Sequence, residues 1–158
     1  MFREVVRKKQ ALTQEACISI LKSELRGVLS VLGDNEYPYG IPMNHWYNEA
    51  DGCLYFHSGK SGHKIDAMKK NSKASFCVMD SGTKIEGDWA LNFNSVVIFG
   101  QLEIVEDQNE AIEMTRQLSY HFTDDHAYVD YEIKKSAAST LCFRLRPEHI
   151  TGKRVNEK

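Results

Sequence analysis

Apolar positions along this chain fall mostly into short runs with a two-residue period, cut by turn-forming residues. The first clear segment is an exception: from Thr13 to Glu24 the period is helical, with Cys17, Ile20 and Leu21 on one face, Thr13 placed to cap and Glu15 in the positive first turn. Arg26-Gly27 then opens an apolar strand, Val28 to Leu32, closed by the turn Gly33-Asp34-Asn35. A second strand is predicted from about Tyr37 to Tyr47. It contains Pro38 and Pro42, which donate no ladder hydrogen bond, so it belongs at a sheet edge or against something other than a strand. After the turn dipeptide Asp51-Gly52 comes a strand Cys53 to His57, then a short helix from about Gly62 to Lys70 with Ile65 and Met68 facing inward. Ala74 to Met79 reads as a strand ended by Asp80-Ser81-Gly82, and Thr83 to Asp88 as a polar loop. A long strand from Ala90 to Glu106 is expected to bend at Gly100. Asp107 begins a helix to about Tyr120, with Glu110 in a capping-box position. The stretch from His121 to Ser139 reads as part helix, part loop. Leu141, Phe143 and Leu145 alternate with Cys142, Arg144 and Arg146 in a half-buried final strand.

The count is about six strands and three helices. Tight turns join several strands, so the sheet is largely antiparallel, and the absence of alternating βαβ units favours a small barrel with helices outside over a doubly wound sheet. With 158 residues and no repeat or linker composition, residues 1–158 read as a single domain. A net charge of −2 and a pI near 6.3 argue against a general nucleic-acid binder. No run of 18 apolar residues suggests a membrane span, and the basic Met1 to Gln10 segment lacks the apolar core of a secretory signal. Cys17, Cys53, Cys77 and Cys142 form no C-x-x-C pair and lie in apolar segments. They read as reduced thiols in a cytoplasmic protein.

The segment richest in chemistry is Tyr55-Phe56-His57-Ser58-Gly59-Lys60-Ser61-Gly62-His63-Lys64-Ile65, running strand, loop, helix. Two glycines permit close backbone approach. Ser58 and Ser61 offer hydroxyls, Lys60 and Lys64 charge, His57 and His63 further donors, and the helix start adds free amides; together these suit a phosphate. The Walker spacing is absent, which disfavours a triphosphate. On composition alone, a solvated turn whose serine caps a helix is the commoner meaning of such a stretch. His45, His57 and His63 have no supporting cysteine pair or H-E-x-x-H pattern, so no metal site is predicted. Cys53 and Cys77 sit in apolar strands where a thiolate is disfavoured, and no G-x-S-x-G elbow occurs.

Several stretches taken in order resemble one family: Met1-Phe2-Arg3-Glu4, Arg26-Gly27-Val28-Leu29-Ser30-Val31-Leu32, Tyr37-Pro38-Tyr39, Ile41-Pro42-Met43-Asn44, Tyr55-Phe56-His57 with Gly62-His63-Lys64-Ile65-Asp66, Ser95 to Gly100, and Glu148-His149-Ile150-Thr151-Gly152-Lys153. Together they are similar to the nitroimidazole-resistance branch of the pyridoxamine-phosphate-oxidase-like flavoproteins. The resemblance implies a mainly β, six-stranded antiparallel split barrel that binds FMN and assembles as a homodimer with the flavin at the subunit interface. It implies that Pro42, Met43 and Asn44 lie along the flavin ring. It further implies that the loop of His57, Ser58, Lys60, Ser61, Gly62, His63 and Lys64 holds the phosphate, with Phe56 also cofactor-binding, His63 near the flavin and any substrate, and Ser95 touching the cofactor from the other subunit. FAD is the other flavin such a site could take. Asn44-His45-Trp46-Tyr47 is bulkier than the family pattern, which suggests that His45 and Trp46 line the substrate side.

The function expected from this resemblance is an FMN-dependent oxidoreductase. It would take electrons from a reduced nicotinamide and reduce a small electron-poor acceptor such as a nitroimidazole, with His63 supplying a proton. No dinucleotide-binding glycine pattern is present, so the nicotinamide would dock transiently. Two rival readings are a non-catalytic flavin- or haem-binding module and a pyridoxamine-phosphate oxidase. The latter would need a second phosphate site near the C-terminus, where Arg144 and Arg146 read as solvent-facing.

Overall fold

The computed structural model describes residues 1–156. Eight strands and four α-helices follow in the order α1 (Gln14–Ser23), β1 (Arg26–Leu32), β2 (Pro38–Asn44), β3 (Trp46–Asn48), β4 (Cys53–Gly59), α2 (His63–Lys70), β5 (Lys73–Met79), β6 (Thr83–Lys84), β7 (Leu91–Ile104), α3 (Gln108–Tyr120), α4 (His126–Ser136) and β8 (Thr140–Val155). All pairings are antiparallel. Seven strands form one sheet in the order β2-β1-β5-β7-β8-β4-β3, and β6 pairs only with β7.

That order dictates the shape. β2 and β3 are the two edges of the sheet, yet only His45 separates Asn44 from Trp46. Two residue steps span at most about 7 Å, so the sheet must curl until its edges meet. The result is a barrel closed at His45 and open where β2 departs to pair with β1. Here the six strands of the sequence reading become eight: the segment expected as one strand from Tyr37 to Tyr47 is two strands on opposite edges, and the loop around Thr83 contains the short β6. The proline argument for an edge strand is met by β2, whose Pro38 and Pro42 are exposed.

His45 makes the closure. It is fully buried, its Nε2–H donates to the Leu21 carbonyl of α1 at 2.8 Å, and its ring stands edge-on to Phe76 at 5.1 Å. Desolvation pushes its pKa down to about 4, against a partial opposite pull from the Leu21 bond. The expectation that His45 lines a substrate is therefore corrected: its neighbours are the core and a backbone carbonyl. Trp46 packs on Tyr55 under α3.

Inside the barrel, alternate residues of the strands pack around Phe56, Phe76 and Phe143, with Leu29, Val96, Ile98 and Leu145 fully buried beside them. Cys17 and Leu21 of α1 and Ile65 and Met68 of α2 join this core. β7 shifts register between Phe99 and Gly100, as its expected bend required; a Cβ on Gly100 would lie 2.2 Å from the Arg146 carbonyl oxygen. The final strand is far longer than the Leu141–Leu145 alternation indicates. It runs to Val155, and Pro147 is tolerated in it because Pro147 faces Gly100 at this irregularity.

Candidate functional site

β4 carries the site. Its even residues Leu54 and Phe56 point into the barrel, so Tyr55 and His57 point out, beside Arg144 and Cys142 of β8. Trp46 pairs with Tyr55; continuing that register would set Asn44 opposite His57 and Pro42 opposite Gly59. β2 instead pairs with β1, and no ladder joins β2 to β4 among the described residues. The two strands thus diverge from His45 and leave a cleft, with the Pro42–Asn44 edge on one bank and His57–Gly59 on the other.

The cleft continues into the turn Lys60-Ser61-Gly62, which delivers the chain to α2. Lys60, Ser61 and Gly62 are exposed and Lys64 half-buried. Gly62 has φ +132° and ψ 172°, a region essentially closed to side chains, and a Cβ there would meet nothing within 4 Å. No side chain caps α2; the Gly62 carbonyl already accepts from Ile65 and Asp66, so the preceding amides stand outside the helical ladder. Gly59 is equally open. Backbone strain, open space, uncapped amides and two lysines are brought to one turn. The Ser58 hydroxyl instead donates to the Gly59 carbonyl at 2.8 Å.

Asn44, His57 and Lys60 share the wall of one cavity of about 870 Å³, which extends between β4, β8 and the helices α3 and α4. His57 keeps solvent access at one edge, yet enough protein surrounds the ring that desolvation lowers its pKa. The Asn44 side-chain oxygen accepts from Arg26 Nε at 3.0 Å. Met43 and Phe56 turn their side chains into the core, which leaves only their backbones for the cleft.

His63 stands apart from that cavity. Its Nε2 accepts from the Asp34 amide at 3.0 Å, and its ring stacks on Tyr39 at 4.2 Å. The proton of the neutral ring is therefore on Nδ1. Ser95 lies on the outward face of β7, in a separate hollow of about 430 Å³ that it shares with Arg7 and Lys153.

Arg144 and Arg146, expected to face solvent, converge on Glu103. Arg146 approaches it through two nitrogens at 3.0 Å, and Arg144 adds a bond at 2.9 Å. Hydrogen bonds from Arg146, then Arg144, hold the Glu103 carboxyl down to about 2. Arg144 also donates to Glu110 and to the Tyr55 hydroxyl, which itself donates to Asp51. The alternation of residues 141–146 indicated which residues turn outward; nothing local indicated Glu103, 41 residues from Arg144, as their partner. Among the described residues no three of His, Cys, Asp or Glu gather as a metal centre requires. None of the helices in that range is long and apolar enough to cross a membrane.

A family model described as pyridoxamine 5'-phosphate oxidase matches residues 13–154. No curated protein matches the chain. Among solved structures, a protein from Bacteroides thetaiotaomicron assigned to 5-nitroimidazole antibiotic resistance superposes with TM-score 0.75 at 20% identity, covering 93% of this chain and 90% of that one. A FAD-binding protein from Mesorhizobium loti gives 0.67 at 24% identity, covering 94% and 97%. A flavocytochrome from Azotobacter vinelandii gives 0.75 at 19%, covering 98% and 76%. These likenesses establish the shared split-barrel fold.

Proposed function

Since the chain belongs to the pyridoxamine 5'-phosphate oxidase family, we propose that it is a flavin-dependent oxidoreductase. Its cleft between β2 and β4 would hold FMN, and it would reduce an electron-poor acceptor of the nitroimidazole kind with electrons from a reduced nicotinamide. The observation that carries this reading is the turn at Gly62. A backbone conformation restricted to glycine and an uncapped helix start, with Lys60 and Lys64 on either side in sequence, suit one phosphoryl group. The FAD-binding protein and the flavocytochrome with the same fold support a flavin as the cofactor.

The flavin supplies the redox chemistry; the chain supplies binding, orientation and proton control. Lys60, Lys64 and Ser61 would neutralise and hydrogen-bond the phosphate. The exposed ring of Pro42 donates no N–H, so this edge of β2 can present a flat apolar strip to the flavin ring, with Asn44 and His57 at its end. We assign proton delivery to His63: Nδ1–H has no hydrogen-bond partner among the described residues, and as an imidazolium the ring would exchange the Asp34 amide at Nε2 for the Asp34 carboxylate 3.8 Å away and release the Nδ1 proton to leave the neutral ring. Ser95 would reach the flavin of a partner copy. The outward row Val28, Cys77, Val97 favours a homodimer, because Val28 is 38% exposed and Met79 and Phe99 extend the same apolar face at 54% and 40%. Arg144 and Arg146 are engaged by Glu103, which counts against a pyridoxamine-phosphate oxidase proper needing them for a second phosphate.

Purified protein should carry a yellow chromophore identifiable by mass as FMN, or take up FMN in preference to riboflavin. Lys60→Ala with Ser61→Ala should weaken FMN binding by on the order of 2–4 kcal/mol, roughly 30- to 1000-fold. FMN should support nicotinamide oxidation that a nitroaromatic accelerates. A protein that refuses both FMN and FAD would overturn the reading. Flavin binding with no acceptor-stimulated oxidation would leave a binding module in its place.

A further inference from the structure

The cavity behind His57 is larger than a small heteroaromatic acceptor needs, and most of its wall is apolar. It lies between the outward face of β4 and β8 and the pair α3–α4, with an interior of about 870 Å³, near the upper end of ordinary ligand pockets. Its deepest residues are Val105, Leu118, Val129 and Cys142, each buried; Ile112, Ile133 and Leu141 extend the apolar wall. Three of the hydroxyls that interrupt this lining, those of Thr115, Ser119 and Thr140, are turned to internal partners. Ser119 donates to the Thr115 carbonyl at 2.8 Å and Thr140 to the Ser136 carbonyl at 2.9 Å, while the Thr115 hydroxyl sits against the Cys142 thiol.

Charge is confined to the margins and is mixed in sign: Lys60 on one side, Glu106 and Glu132 on the other. Half-exposed Phe122 and Tyr128 give the cavity an aromatic rim. The helical wall is tied together rather than loosely laid. Arg116 of α3 binds Asp130 of α4 at 3.1 Å, and Tyr120 stacks on His126 at 4.0 Å across the turn. The chamber is therefore part of the fold.

We infer that this chamber is a binding site for a neutral, largely apolar, ring-bearing molecule bigger than a single five-membered ring, selected by size and apolarity rather than by hydrogen bonds. An anionic ligand would have to bury its charge with no cation inside, the one ammonium at the margin, Lys60, being outnumbered by the carboxylates of Glu106 and Glu132. Only the role of this molecule as the acceptor rests on the flavin reading; its chemical class follows from the chamber alone.

The test uses two dyes of matched shape, neutral N-phenyl-1-naphthylamine and anionic anilinonaphthalene sulfonate, with full-length protein. The neutral dye should bind saturably at one site per chain with a blue-shifted emission, and the sulfonate about ten-fold or more weaker. Ala111→Trp and, separately, Ala137→Trp should fill the chamber and lower neutral-dye affinity by at least about ten-fold, with far-UV circular dichroism and FMN affinity unchanged. Equal binding of the two dyes, or undiminished dye binding in both folded variants, would overturn the inference. Dye binding as expected in a protein that takes no flavin would sustain the chamber and remove its role as acceptor site. FMN binding without any dye binding would do the reverse.

Discussion

His45 is a polar residue held at 0% exposure, with one ring nitrogen bonded to Leu21 and Nδ1 without a partner. Its pKa of about 4 in the fold lies below the value near 6.5 of an unfolded chain. Between those values the unfolded chain holds more protons, so stability rises with pH across the window. The contribution of neutral His45 is complete above about pH 6.5 and is lost as pH falls toward 4, a total of about 3 kcal/mol. Urea midpoints at pH 7 and pH 5 measure it: the native chain should weaken distinctly, and His45→Gln, whatever its baseline, should show a flatter dependence. Equal slopes would assign the acid sensitivity to other groups. Gly62 is the second residue whose conformation decides something. Gly62→Ala should cost about 1–3 kcal/mol from backbone strain alone, since its Cβ would meet no atom. Gly59→Ala, with open space and no positive φ, should stay within about 1 kcal/mol. A matching loss at both positions would show that strain is not what sets Gly62 apart.

At the scale of elements, most readings that rested on local chemistry agree with the structure, and they fail where a distant partner takes over a residue. Thr13 caps α1 by accepting from the Ala16 amide, and Asp107 caps α3 by accepting from that of Glu110. The same Glu110, expected to complete a capping box, instead binds Arg144 of β8. The break at His45 was hidden because Tyr37 to Tyr47 is one extended stretch in sequence; only the meeting of the sheet's edges divides it. In the ambiguous 121–139 stretch, Asp125 caps α4 through the Tyr128 amide, a start signal masked by its acidic and aromatic neighbours. The turn at Gly59–Lys64 stands out in the sequence because its polar residues are contiguous, whereas the chamber behind it draws on β4, β7, β8, α3 and α4 and leaves no local trace. Arg144 joins these elements, bonding Glu103, Glu110 and Tyr55 at 21% side-chain exposure. Arg144→Met should therefore cost roughly 1–3 kcal/mol by leaving partly buried acceptors unpaired. Amide exchange in α3 should quicken more than in α1. Uniform quickening would mean that the network supports the whole barrel rather than docking α3.

For the molecule as a whole, the barrel packs its apolar interior but leaves an apolar outer face exposed. Val28, Cys77 and Val97 form a cross-strand row on the outward side of β1, β5 and β7, flanked by Met79 and by Phe99, on which Phe2 stacks, with His149 stacked in turn on Phe2. Ser95 lies on this face, in a hollow remote from the cleft of its own chain. If a second copy covers the face, two consequences must appear together. Sedimentation should give a dimer for the native chain and a monomer for Val28→Glu combined with Met79→Glu, since two carboxylates in an apolar interface cost several kcal/mol unless paired. The monomeric variant should keep its circular dichroism but bind FMN at least about ten-fold more weakly, because residues of the other copy complete the flavin seat. A monomer that retains full FMN affinity would separate these consequences: the apolar face would remain an assembly surface, while the flavin cleft would be complete within a single chain and Ser95 would have no part in it.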